Sequence, residues 1–318
     1  MPSHAPVASG SELRFGGGVS LTVSLLGLVG AAVGSVWLGL SGRYAVSPEG
    51  WLGGALTLVA AALTVLGLLL LLGGLGYYVL APAFAGPGAA WRGVGSHRLV
   101  IATTALIVLL ANAGPVAYVS VAGADALRTV PGFLSAALSV DVVLLGVTYL
   151  RFIRPGVLTS ADLGLDRPDR ARLVGIGVLV GIGVLVMSAV VQSAIQALGF
   201  RQTQLLSLQY IRDFPPLGFA AVVCAGGIVA PIAEELYFRG FVFRSYLRTR
   251  SPVVAYGATS ALFATLHLNL PALFPILVLS LILCLAYRRT GSIIPSIVGH
   301  ALNNTAAFCI LYFTNAPL

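Results

Sequence analysis

The sequence predicts an all-α, polytopic membrane protein with about nine transmembrane helices. Three observations predict it. Hydrophobic residues make up 58% of the 318-residue chain and charged residues only 9%, far from a soluble globular composition. The apolar residues run on for roughly 20 positions at a time, the length a helix needs to cross a hydrocarbon core, and the runs show no period-two alternation, which excludes a membrane β-barrel. The arginines fall between these runs, with the single exception of Arg239.

The first run, 19–40, follows a lone arginine, Arg14. It is too long for a signal-peptide core and no small-x-small cleavage pattern follows it, so a retained first span is expected. Runs at 52–80, 99–121 and 133–150 complete an N-terminal accessory region of four helices, residues 1–154. The segment 155–172 is the most polar stretch, carries both signs of charge, and is the natural boundary to a second membrane domain, residues 173–313. That domain holds runs at 173–198, 216–243, 253–267, 271–287 and 292–313. The pair 253–267 and 271–287 turns at Asn269 and Pro271, and neither run is comfortably long, so this hairpin is short enough to stop before the outer surface. No internal repeat is evident. Cys224, Cys284 and Cys309 lie in apolar segments without paired or metal-type spacing and read as buried free thiols.

Charge placement sets an orientation. With the N-terminus in the cytoplasm, thirteen arginines fall in inner segments and four, Arg43, Arg128, Arg201 and Arg212, in outer ones. That asymmetry favours N-in and C-out. The net charge of +8 is therefore read as topology information and not as a nucleic-acid footprint. All 18 basic residues are arginine, which we take as GC-rich codon bias, pointing to a bacterial cytoplasmic membrane.

Two of the chain's four glutamates, Glu234 and Glu235, sit side by side inside the apolar run 216–243. A carboxylate in hydrocarbon costs on the order of several kcal/mol, so an intramembrane acid reads as functional by default. Adjacent helical residues point about 100° apart, so the two face different neighbours. Glu235 and Arg239 are four apart with the acid N-terminal, the favourable sense for an intrahelical pair, which leaves Glu234 for another task. His267 ends the run Phe263-Ala-Thr-Leu-His267, with Phe263 one turn earlier and able to pack on the imidazole. His300 and Asn304 share a face of the last run. By helical rise, Glu234, His267 and His300 lie roughly 12–20 Å from the cytoplasmic ends of their runs, close enough in depth for one site. An acid, two imidazoles and an amide are the parts needed to hydrolyse an amide bond: a base for water and donors for an oxyanion. The same Glu234, His267 and His300 alternatively make a His₂Glu zinc site with an open position for water. Structural ion pairing of both acids is the plain alternative, against which stands the single intramembrane arginine.

The ordered motifs Glu234-Glu235-x-x-x-Arg239, Phe263-x-x-x-His267 and His300-x-x-x-Asn304 resemble those of the CPBP family, the CAAX proteases and bacteriocin-processing enzymes also called the Abi family or type II CAAX prenyl endopeptidases. The resemblance implies an intramembrane endopeptidase in which Glu234 and His267 activate water and His300 and Asn304 stabilise the oxyanion. It implies Glu235 and Arg239 as a supporting pair, and it leaves open whether a metal takes part. The expected partners are a peptide or membrane-protein substrate and the lipid bilayer. A catalytically silent binding scaffold, or a proton- or ion-coupled transporter, is the rival class, since intramembrane Glu and His also build proton relays. The missing inverted repeat and the clustering of the ionisable groups in the C-terminal half argue against transport.

Overall fold

The computed structural model describes residues 10–44, 51–199 and 208–314. Among these, nine main helices follow the nine predicted runs, and there is no strand. They are α1 Gly10–Tyr44, α2 Trp51–Phe84, α3 His97–Ala122, α4 Val130–Ile153, α5 Arg170–Ala197, α6 Pro216–Thr249, α7 Pro252–Thr265, α8 Leu273–Thr290 and α9 Ile294–Phe313. Eight are long and apolar enough to cross a membrane. The exception is α7, whose 14 residues rise only about 21 Å. Its ends are written locally. Pro252 occupies the first turn behind Ser251, whose Oγ accepts from Val254 N at 3.4 Å. At the other end Leu268 takes a left-handed φ of 49°, and Asn269 Oδ1 accepts from Ala272 N at 3.0 Å to start the next helix.

The chain forms two compact units, Met1–Arg92 with Ile101–Leu109, and Gly93–Val100 with Leu110–Leu318. In the first, α1 and α2 pack against each other over most of their length. Gly27 lies so close to α2 that a Cβ there would be 2.5 Å from the Gly67 carbonyl oxygen. The outward faces, including Leu25, Leu26, Leu58 and Leu69, stay exposed, as a lipid-facing pair requires.

The second unit contains α4 to α9, so packing joins α4 to the C-terminal helices. The α5–α9 contact is its most extensive helix pairing. Gly177 and Gly181 form a small-xxx-small stripe there, and a Cβ on Gly177 would stand 2.6 Å from Val298 Cβ. Helix α6 is not uniform. π-helical segments at Val223–Val229 and Leu236–Phe243 flank an α-helical stretch, Ala230–Glu235, with Pro231 in its first turn. Proline lacks the N–H for an ordinary turn, and wide turns accommodate that loss.

The polar segment between α4 and α5 is bound down. Asp162 accepts from Arg244, lies 3.6 Å from Arg248, and takes Thr159 N at 3.0 Å, while its carbonyl accepts from Tyr287 Oη at 2.8 Å. The Arg244 bond above all holds the Asp162 carboxyl at a pKa of about 2. Arg167 donates to the Thr290 carbonyl at 2.9 Å, covering the end of α8 before the left-handed Gly291. The three cysteines are free, but only Cys284 is buried as expected; Cys309 is half-buried and Cys224 sits on the outward face of α6.

Candidate active site

Glu235 and Arg239 are both fully buried and joined Oε1 to Nη1 at 2.7 Å. The guanidinium also donates to Ser280 Oγ at 2.9 Å and Ser280 O at 3.2 Å, and it stands 4.7 Å over the Phe263 ring. These bonds compensate part of the pair's burial, while Arg239 Nε and Glu235 Oε2 have no hydrogen-bond partner. Sequence spacing indicated this pair but not the second bond of Glu235. The same Oε1 accepts from His300 Nδ1 at 2.9 Å. Glu234 points elsewhere, one-fifth exposed, with Oε2 at 3.7 Å from His300 Nε2 and without a hydrogen-bond partner. The His300 ring, almost fully buried, thus lies between the two carboxylates. Because Nδ1–H is committed to Glu235, Nε2 is the atom left for chemistry: an acceptor in the neutral ring, a donor in the doubly protonated one.

His267 lies two residues past the end of α7, not inside a helix as the run 253–267 implied. Carbonyls of a last helical turn lack intrahelical partners, and His267 Nδ1–H donates to one of them, Phe263 O, at 2.8 Å. That bond fixes the tautomer and leaves Nε2 as an acceptor. The Phe263 ring packs 5.0 Å from His267 and 5.7 Å from His300, between the two imidazoles. Asn304 on α9 donates from Nδ2 to Gly226 O at 3.2 Å, and its Oδ1 accepts from Asn303 Nδ2 at 3.3 Å. Gly226 sits in the first π-helical segment of α6, where the wide turn frees carbonyls from the regular ladder. A Cβ on Gly226 would meet Phe308 at 2.8 Å, so glycine lets α9 approach.

One acid escaped the sequence reading. Asp141 in α4 is 1% exposed, and its Oδ2 has no hydrogen-bond partner. It is close enough to Glu234 for the carboxylates to feel each other's charge, and α4 packs on the Ala230–Glu235 stretch. The ionisable groups therefore do not cluster wholly in the C-terminal half. An aspartate inside the apolar run 133–150 was the available signal.

Among the described residues, no three His, Cys, Asp or Glu side chains are grouped so as to hold a metal ion. As they stand Glu234, His267 and His300 form no such three-ligand cluster, while the Nδ1–H bonds of His300 to Glu235 and of His267 to a carbonyl leave Nε2 of each ring as the atom free to bind a proton or a metal. His267, His300, Asn303 and Asn304 instead line one cavity of about 350 Å³, walled by α5, α8 and α9.

Residues 216–306 match the family described as type II CAAX prenyl endopeptidase Rce1-like. The UPF0177 protein YxdF of Lactococcus lactis is 34% identical over 92 residues, covering 28% of this chain and 50% of that protein. The match thus spans about half the length of that relative. No solved structure matches. The segment that supplies Glu234, Glu235, Arg239, Phe263, His267, His300 and Asn304 is therefore Rce1-like, similar in sequence to the type II CAAX prenyl endopeptidases.

Proposed function

We propose that the protein is an intramembrane endopeptidase that hydrolyses a peptide bond in a membrane-associated protein or near a peptide's C-terminus. The observation that supports this best is the buried chain from Arg239 through Glu235 to His300, which holds His300 Nε2 facing Glu234 within an Rce1-like segment. Glu234 Oε2 takes a proton from water as the water oxygen adds to the scissile carbonyl carbon, and His267 Nε2 accepts the water's other hydrogen bond. The oxyanion receives the free N–H of Asn304 and Nε2–H of doubly protonated His300. Collapse breaks the C–N bond, and the proton on Glu234 passes to the departing amine. No step is routed through a metal.

We place the protein in a bacterial cytoplasmic membrane with its C-terminus outside, on the arginine asymmetry; a C-terminal reporter active only in the cytoplasm should be silent. The test of the chemistry is Glu234→Gln in detergent or liposomes on candidate peptides. Cleavage should be lost while yield and melting stay normal. Undiminished cleavage by that variant would remove Glu234 from the reaction.

A further inference from the structure

Gln192 is a polar group of the cavity that the mechanism does not use, and it lies on α5, outside the Rce1-like segment. Leu185, Ser188, Ala189 and Gln192 recur at helical spacing and make one stripe of α5 that forms a wall of the cavity. Both Oε1 and Nε2 of Gln192 are buried, and neither has a hydrogen-bond partner. A buried amide unpaired at both ends lowers stability, and an apolar side chain of its size would serve packing better. Leu185, Ile276, Leu279 and Phe308 make much of the wall apolar, and none of the polar residues that line the same cavity, Ser188, His267, His300, Asn303 and Asn304, bonds the Gln192 amide.

A ligand that satisfies Gln192 must bring one acceptor and one donor side by side on an otherwise apolar body. One residue of an extended peptide has this form, since its C=O and N–H point to the same side. A peptide entering from hydrocarbon has its main-chain groups paired within a helix, and exposing a bond for cleavage unpairs them where no water can compensate.

We propose that Gln192 binds substrate main chain: its amide pairs with the C=O and N–H of one unwound residue beside the cleaved bond, and that residue's apolar side chain fills the cavity. This rests on the endopeptidase reading. It assigns part of substrate selection to α5, and it predicts a preference for apolar residues flanking the cleaved bond.

The test uses full-length Glu234→Gln protein in detergent, which binds peptide without consuming it, and fluorescent peptides of leucine and alanine. Gln192→Met in that background should weaken binding about tenfold or more, as expected for two lost hydrogen bonds, without lowering the melting temperature. A merely structural glutamine would instead lower melting when replaced. Ester replacement of one main-chain amide should weaken binding to the Gln192 protein and add no further loss in Gln192→Met. Unchanged binding with a raised melting temperature would mean that the amide serves neither substrate nor fold, and would overturn the proposal alone. Equal ester penalties in both proteins would do the same. If wild type cleaves none of the peptides and the Glu234→Gln protein binds none saturably, the endopeptidase reading falls and this proposal with it.

Discussion

Replacing Glu235 by glutamine removes a charge while keeping the side chain's shape. In the native protein Glu235 Oε1 is shared by Arg239 Nη1 at 2.7 Å and His300 Nδ1 at 2.9 Å, with both glutamate and arginine fully buried. After Glu235→Gln, Arg239 is a buried cation whose remaining partners are Ser280 and the Phe263 face. Removing one member of a buried pair costs about 3–5 kcal/mol, because the other charge is left without its counter-ion. The glutamine carbonyl still accepts one hydrogen bond and Ser280 stays in place, so the low end, about 3 kcal/mol, is expected. Removing both charges in Glu235→Gln/Arg239→Met should recover a large part of that loss. Reversible denaturation of the detergent-solubilised protein measures both variants. Cleavage, normalised to folded protein, should fall further in Glu235→Gln than stability explains, since His300 loses the group that orients it. Native melting for Glu235→Gln, or a double variant less stable than the sum of the singles, would refute the coupling drawn here.

Three further outcomes follow from other parts of the molecule. The Asp162 carboxyl is depressed from its ordinary value of 3.8 to about 2, so its stabilisation is present above the ordinary value and is lost as pH falls through the folded one; Asp162→Asn should flatten the stability curve between about pH 4 and 2 and cost about 1 kcal/mol at neutral pH, read from denaturation at each pH. Gly177→Ala places a Cβ 2.6 Å from the Cβ of Val298, a stiff branched side chain, and should cost about 1–3 kcal/mol in melting experiments, whereas Gly175→Ala, with nothing within 4 Å, should be neutral. Cleavage should survive chelators; stoichiometric zinc in the purified protein, with activity lost on chelation and restored by zinc, would replace the water-activation scheme with a metal-based one at the same residues.

What could be read from the sequence divides along a physical line between local and non-local geometry. Helix positions follow from run length and hydropathy, which the bilayer enforces, so the runs and α1 to α9 coincide; even the shortness of α7 is written in Pro252, Asn269 and Pro271. The Glu235–Arg239 pair follows from helical periodicity alone, because both partners ride on one helix. Contacts between helices depend on how each is rotated about its axis, and low amphipathicity in a membrane leaves that rotation unmarked. Hence the bond from His300 to Glu235 had no signature: His300 was read by its alignment with Asn304 on α9, and its second neighbour is set by the packing of α9 on α6. Asp141 shows the same limit from the other side. Its residue type was visible, but its relation to Glu234 exists only because α4 packs on the Ala230–Glu235 stretch. The π-helical turns that free the Gly226 carbonyl for Asn304 had only Gly226, Gly227 and Pro231 as hints, and those residues fit many helix irregularities. The site's chemistry was therefore legible as an inventory of residue types, while the division of work among them depends on helix rotation, which only the folded arrangement supplies.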